Sequence, residues 1–192
     1  MSFFVRCFFH NSSAYHSHLI IKHLHKKQSK ITVIPSNMEQ FIGFKIDGIR
    51  YLDSYKFLSS SLDDLVKKLH NDGVDCFRYT RCTFGDSDQN FFDKGVYPYE
   101  YMTSRYIFKQ TSLPSMSECY SKLKMERITA DAYKRAQEMW DTYKCENMED
   151  FHNVYVKLDV VLLADCMENF RRVGIQEYRI DPAHCWTLAR YT

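Results

Sequence analysis

Apolar and polar positions along the chain fall into blocks of different period. Residues 3–9 are apolar almost without a break and read as a strand buried on both faces, as inside a parallel sheet. His10-Asn-Ser-Ser13 follows as a turn. From Tyr15 to His25, Leu19, Ile20, Ile21 and Leu24 keep a helical period, with a basic end at Lys22, Lys26 and Lys27. Ile31 to Ile34 is a short strand stopped by Pro35. Two aromatic and β-branched runs, Phe41–Ile46 and Ile49–Tyr55, flank Asp47-Gly48, the pattern of a tight hairpin. Ser61 then caps a helix to about His70, with Asp63 and Asp64 in its first turn.

Residues 71–118 lose any period. Gly73, Gly85, Gly95, Pro98 and Pro114 interrupt them, and the reading is a long irregular excursion with short helices. Periodicity returns at Thr129, which opens a helix to about Tyr143 with Tyr133, Ala136, Met139, Trp140 and Tyr143 as its apolar stripe. A second helix runs from about Asn147 to Val173. Asn147 and Asp150 imitate a capping box, and Gly174 supplies a stop. Its apolar face is Phe151, Val154, Tyr155, Leu158, Leu162, Cys166, Phe170 and Val173. The order of elements predicts a mixed α/β layer sandwich. Residues 3–9, 31–34, 41–46 and 49–55 should share one sheet, with the 147–173 helix packed on it through Tyr155, Leu158 and Leu162.

Composition narrows the class. The 192 residues are 45% hydrophobic and 16% aromatic, enough for a packed core and unlike a disordered tail. The formal net charge of +2 is too small to indicate a nucleic-acid partner by itself. Seven cysteines without a C-x-x-C pair, and an opening run interrupted by Arg6, read as reduced thiols in a nuclear or cytoplasmic protein with no signal peptide and no membrane partner.

The chemistry concentrates at Tyr155-Val-Lys-Leu-Asp159. Four residues apart on a helix, Tyr155 and Asp159 project from one face, and that face is otherwise apolar. A carboxylate there must be paired, hydrogen-bonded or bound to a cation. Two readings stand: Asp159 holds a divalent ion while Tyr155 orients a water or phosphate, or Asp159 is a buried acid satisfied by a lysine or a helix end. Cys76 and Cys82 with His70, and the group His16, His18, His23 and His25, raise metal binding as well. Neither has the spacing of a zinc site, and both are also read as ordinary free side chains.

Several longer phrases are more specific. They are Tyr155–Arg172 (YVKLDVVLLADCMENFRR), Lys94–Met102 (KGVYPYEYM), Tyr51–Leu62 (YLDSYKFLSSSL), Thr111–Pro114 (TSLP) and Asp181–His184 (DPAH). Together, in this order, they resemble the protein-primed family-B DNA polymerases of polinton/Maverick transposons, linear plasmids and related viruses, over essentially the whole chain. The resemblance implies an RNase H-like 3′–5′ exonuclease domain over 1–175, with 71–118 as its excursion, and the start of a connection to a polymerase palm over 176–192. It implies Mg²⁺ as cofactor, the single-stranded 3′ end of DNA as partner, and nucleotide and terminal protein as partners of a complete polymerase. Tyr155 and Asp159 correspond to the third exonuclease motif. Asn11, Tyr15 and Asp53 correspond to places that meet the DNA end; Asp53 also reads as a turn-stabilising residue at a strand end.

The chain departs from the family in ways that bear on activity. The first motif, Asp-x-Glu on a central strand, is expected upstream of residue 1, and the palm beyond Thr192, so the domain is expected to be incomplete. The second motif resembles His10–His16, where the family has Asp in place of His16. A neutral imidazole does not supply the hard anionic oxygen that Mg²⁺ prefers. The expectation is a polymerase-derived exonuclease domain without catalysis. The alternative is a non-catalytic single-strand-binding or protein-interaction module that retains a groove lined with Phe and Tyr.

Overall fold

The computed structural model describes residues 5–12, 20–23, 30–37, 41–85, 92–121 and 126–188. Four strands form one mixed sheet: β1 (Val5–Phe9), β2 (Ile31–Pro35), β3 (Phe41–Ile46) and β4 (Ile49–Asp53), in the order β1-β4-β3-β2. β2, β3 and β4 form an antiparallel meander, and β1 runs parallel to β4 with Phe9 level with Asp53. The four sheet segments expected from the sequence therefore do share one sheet. Asp47 (φ 45°) and Gly48 (φ 89°) make the hairpin turn, with the positive φ at both positions that a two-residue loop of this hand requires. The helix expected over 15–25 is helical at 20–23, and its remaining residues lie outside the described ones.

The helices follow: α1 (Leu62–Asp72), α2 (Arg78–Phe84), α3 (Ala130–Thr142) and α4 (Met148–Tyr178), with a two-strand ribbon of β5 (Tyr120–Ser121) and β6 (Glu126–Arg127) ahead of α3. α1 starts where Ser61 accepts from the Asp64 N–H at 3.2 Å. α3 starts where Thr129 accepts from the Ala132 N–H at 3.2 Å. At α4, Asn147 Oδ1 accepts from the N–H groups of Glu149 and Asp150. Asp150 turns back to the Glu146 N–H, closing the box one residue earlier than a standard one.

Gly174 does not stop α4. A glycine inside a helix costs only about 1 kcal/mol, and the helix runs on through it for another turn. The stop comes at Arg179, whose backbone takes a left-handed φ of 59° just before Asp181-Pro182. Val173, expected on the apolar face, is 47% exposed.

The chain divides into two compact units, 1–65 with 166–192, and 66–165. In the first, aromatic rings run across one face of the sheet, Phe9 stacking on Tyr51 and Tyr51 on Phe44. On the opposite face Phe8 meets Phe57, and Phe57 meets Phe170 of α4. On that face too, Arg6 and Arg50, level with each other in the β1–β4 register, hold the 183–186 segment. Arg6 donates to the Ala183 carbonyl at 2.9 Å and to His184 Nδ1 at 2.8 Å; Arg50 donates to the His184 carbonyl at 3.1 Å and lies over the Trp186 ring. The Asp181–His184 phrase is thus a 3₁₀ turn tied to the sheet, with Asp181 capping it through the Ala183 N–H. Arg171 forms a two-pronged pair with Asp181, at 3.0 and 2.7 Å.

In the second unit, Phe77, Phe92, Met139, Met148, Phe151, Leu158 and Leu162 are buried. Tyr155 and Leu158 meet Gly95: a Cβ placed on Gly95 would lie 3.1 Å from Tyr155 and 3.4 Å from Leu158. Asp165 is 1% exposed and takes hydrogen bonds from the Tyr79 N–H, the Thr80 N–H and the Thr80 hydroxyl. It caps α2 from a distant part of the chain. No described helix is long and apolar enough to cross a membrane.

Candidate functional site

α4 brings Tyr155 and Asp159 onto one side of its middle turns, as the four-residue spacing requires. Tyr155 is buried, and its ring stacks on Tyr97 at 4.8 Å. Its hydroxyl is 2.9 Å from the hydroxyl of Tyr99. His152, one turn earlier on α4, shares a 2.8 Å hydrogen bond with the Tyr97 hydroxyl. The irregular stretch after Lys94 carries these tyrosines because Gly95 lets the backbone lie hard against α4, among Tyr155, Leu158 and Met139.

Asp159 Oδ1 is buried and has no hydrogen-bond partner. Burial raises the Asp159 carboxyl above the ordinary carboxylate range; the charge of Lys94 and hydrogen bonding from Tyr155 lower it, without cancelling that rise. Tyr155 is raised strongly, first by burial and then by the Asp159 charge, so its hydroxyl stays protonated and available as a donor. When Asp159 is ionised it can only accept, so Tyr155 then donates to it and Tyr99 in turn to Tyr155. The site therefore consists of a partly desolvated carboxylate, two phenolic donors and a lysine. It can bind a cation at Asp159 or orient a polar group beside the tyrosines.

Asn11 and Asp53 belong to the sheet unit. Asn11 follows β1 with a left-handed φ of 55° and is exposed; Asp53 ends β4. With Phe9 level with Asp53, both stand at the carboxyl end of the parallel β1–β4 pair, the end at which α/β sheets receive ligands. Asp53 itself is 2% exposed, and its Oδ1 accepts from the Tyr55 N–H at 3.0 Å, capping the 3₁₀ turn Ser54–Lys56. This is the turn-stabilising role open to it from sequence. Tyr15 and His16 lie outside the described residues, as do His18 and His25. His23 is exposed. His70 is engaged by the Phe92 carbonyl at 2.7 Å, and Cys76 Sγ donates to the Asp72 carbonyl.

Lys94, Tyr97 and Tyr99 were noted from sequence only as part of the Lys94–Met102 phrase, without a role, and His152 was not singled out. The alternation Tyr97-x-Tyr99 in a stretch without helical period was the available signal, since it sends two rings to one side of an extended backbone. Comparison with family models, with curated proteins and with solved structures gave no match.

Proposed function

We propose that this chain derives from the proofreading 3′–5′ exonuclease region of a protein-primed family-B DNA polymerase, with an RNase H-like fold, and that it no longer catalyses phosphodiester hydrolysis. The observation that carries the reading is Asp159: a buried, unpartnered carboxylate oxygen one helical turn from a buried tyrosine, on a long helix, within the phrase that resembles the third exonuclease motif. The mixed sheet supports it. Among the described residues β1 has β4 as its sole partner strand, so β1 offers a free edge beside which a strand carrying Asp-x-Glu would pair.

The loss of catalysis rests on the donor set. Hydrolysis by two metal ions about 4 Å apart requires several hard anionic oxygens. Among the described residues no group of three His, Cys, Asp or Glu side chains comes together to hold a metal. Position 16, which corresponds to a carboxylate of the family, is histidine. These residues do not fit a two-metal centre.

A second reading has its own support. Tyr99 is 61% exposed and Tyr106 82% exposed, large rings of the kind on which single-stranded bases stack. A non-catalytic chain would then still hold a 3′ end.

The test is a 3′-labelled single strand incubated with Mg²⁺ or Mn²⁺ and the chain as it stands, with His16→Asp, and with Asp159→Ala. All three are expected to leave the strand intact. Each missing stabilisation of developing charge costs roughly a hundredfold or more, so restoring one ligand does not bring the rate into view. Digestion by the unmodified chain that vanishes in Asp159→Ala would overturn the reading.

A further inference from the structure

One row of side chains crosses the whole sheet on the face that carries the 183–186 segment. Arg6 of β1 is level with Arg50 of β4, Arg50 with Lys45 of β3, and Lys45 with Thr32 of β2. Level partners point to one face, and neighbouring strands lie about 5 Å apart, so three cations stand in line within roughly 10 Å. Like charges set opposite one another work against a sheet. Burial lowers the Arg50 guanidinium below its ordinary value, and the charge of Arg6 lowers it further. The turn after α4 fixes the row in place. Arg6 donates to the Ala183 carbonyl and Arg50 to the His184 carbonyl. Both acceptors are neutral, so these bonds orient the guanidiniums without cancelling their charge. Asp181, the acid beside this turn in the sequence, is taken up by Arg171. The Trp186 ring lies against Arg50 at 4.6 Å, and its edge reaches Gly43, two residues from Lys45 on the same face of β3.

We propose that the row Arg6–Arg50–Lys45 binds successive phosphates of a single-stranded nucleic acid lying across the strands, with Trp186 beside it to meet a base. The line of the row selects the partner. A phosphodiester backbone is a linear series of anions, and the planar fork of a guanidinium matches the oxygens of a phosphate. The arginines are already held by carbonyls, so little side-chain freedom is lost when the anion arrives. A basic track next to an aromatic ring is the composition that holds single strands without reading their sequence. The chain as a whole carries only +2, so this attraction comes from a local row and not from a general excess of charge. The row uses neither Asp159 nor the exposed Tyr99 and Tyr106, and its test is therefore independent of the hydrolysis assay.

The experiment follows the fluorescence anisotropy of a labelled oligothymidylate of about ten nucleotides at several salt concentrations. Arg6 and Arg50 also anchor the last turn, so replacing them confounds binding with folding. Thr32, exposed on the edge strand, alters the row without touching an anchor. Thr32→Lys extends the row to four cations. It is expected to tighten binding roughly threefold or more and to steepen the slope of log K against log salt by about 0.7. Thr32→Glu is expected to weaken binding by a similar factor. Lys45→Gln should weaken it and make the slope shallower by about 0.7. A gain in Thr32→Lys cannot come from a folding defect. Combined replacement of Tyr99 and Tyr106 by alanine is expected to leave these differences unchanged. With Trp140→Phe as background, Trp186 is the sole tryptophan, and its emission should change as the strand saturates the chain. The proposal is overturned if Thr32→Lys and Thr32→Glu bind alike, if their difference vanishes without Tyr99 and Tyr106, or if Trp186 emission stays constant at saturation. Polyglutamate or phosphatidylserine vesicles bound as tightly, with the same order of variants, would also overturn it, since the row would then take any polyanion.

Discussion

Asp165 and Thr80 are joined twice: one carboxylate oxygen of Asp165 takes both the backbone N–H of Thr80, at 3.0 Å, and its hydroxyl, at 2.7 Å. The other oxygen takes the Tyr79 N–H. A fully buried polar side chain is tolerated here because three donors at the start of α2 surround it.

Asp165→Ala is expected to destabilise the protein by about 3 kcal/mol, because it strands three buried or half-buried donors at once. Thr80→Val removes one donor of the three and should cost roughly 1 kcal/mol. Urea unfolding followed by circular dichroism measures both. Equal losses in the two variants would show that the cap is not what Asp165 contributes.

The Arg171–Asp181 pair predicts a pH dependence. Hydrogen bonding from Arg171 holds the Asp181 carboxyl below its ordinary 3.8; burial works against this, and the Ala183 N–H and the Arg171 charge help it. A depressed folded value means stability that is present above the unfolded value of 3.8 and lost as pH falls through the folded one. Asp181→Asn should therefore cost about 1 kcal/mol at neutral pH, the modest figure suited to a partly solvated pair, and that cost should shrink as the solution is taken well below pH 3.8. Denaturant midpoints at several pH values are the measurement; a difference that does not shrink with acid would assign the loss to something other than ionisation.

The ring cluster predicts behaviour in alkali. Burial, with the neighbouring Tyr99, pushes Tyr97 up to about 12, and Tyr155 is raised further still. Because unfolded phenols ionise near 10, stability present below that pH is lost as it rises through the folded values. Tyrosinate absorbance of the folded protein at about pH 11 should fall short of the full 14 tyrosines and reach it only on unfolding. Tyr155→Phe should lose roughly 1 kcal/mol at neutral pH, from its bond with Tyr99, and yet show a shallower decline in alkali. If all 14 ionise together near 10 in the folded state, the cluster is not closed.

Gly43 sits where β3 passes β4 and Trp186. A Cβ at this position would lie 2.7 Å from the Tyr51 carbonyl oxygen and 2.8 Å from the Trp186 ring. The carbonyl cannot yield without opening the ladder, so Gly43→Ala should cost about 2 kcal/mol and move Trp186. A shift in tryptophan emission should accompany the lower midpoint, and a variant as stable as the parent would mean that the strand pair gives way easily.

The sheet was legible because its signals are local. Asp47-Gly48 between two β-branched runs needs no knowledge of the rest of the chain, and the helix caps at Ser61, Thr129 and Asn147 lie within three residues of the N–H groups they satisfy. Half of the candidate site was legible for the same reason, since Tyr155 and Asp159 are related by helix geometry alone. Lys94 and Tyr99 were not, because an extended backbone without period says nothing about which helix it will cross. Asp165 was missed for a different reason: a polar residue near an apolar helical stripe is read as solvated, and its three donors lie about 85 residues away. Gly174 misled because a stop signal is only a propensity, easily outweighed where the flanking turns are held by Phe170 and the Arg171 pair.

The arginine pair on β1 and β4 has a consequence for the order in which the protein assembles on the ribosome. Arg6 must wait for residues 183 and 184, some 177 positions later, and Arg50 waits 134 for the same turn. Residues 66–165 form a compact unit of their own. Two hydrogen bonds of the first strands, one on β1 and one on β4, therefore cannot form until residues 183–184 have been made, however early the strands themselves are synthesised.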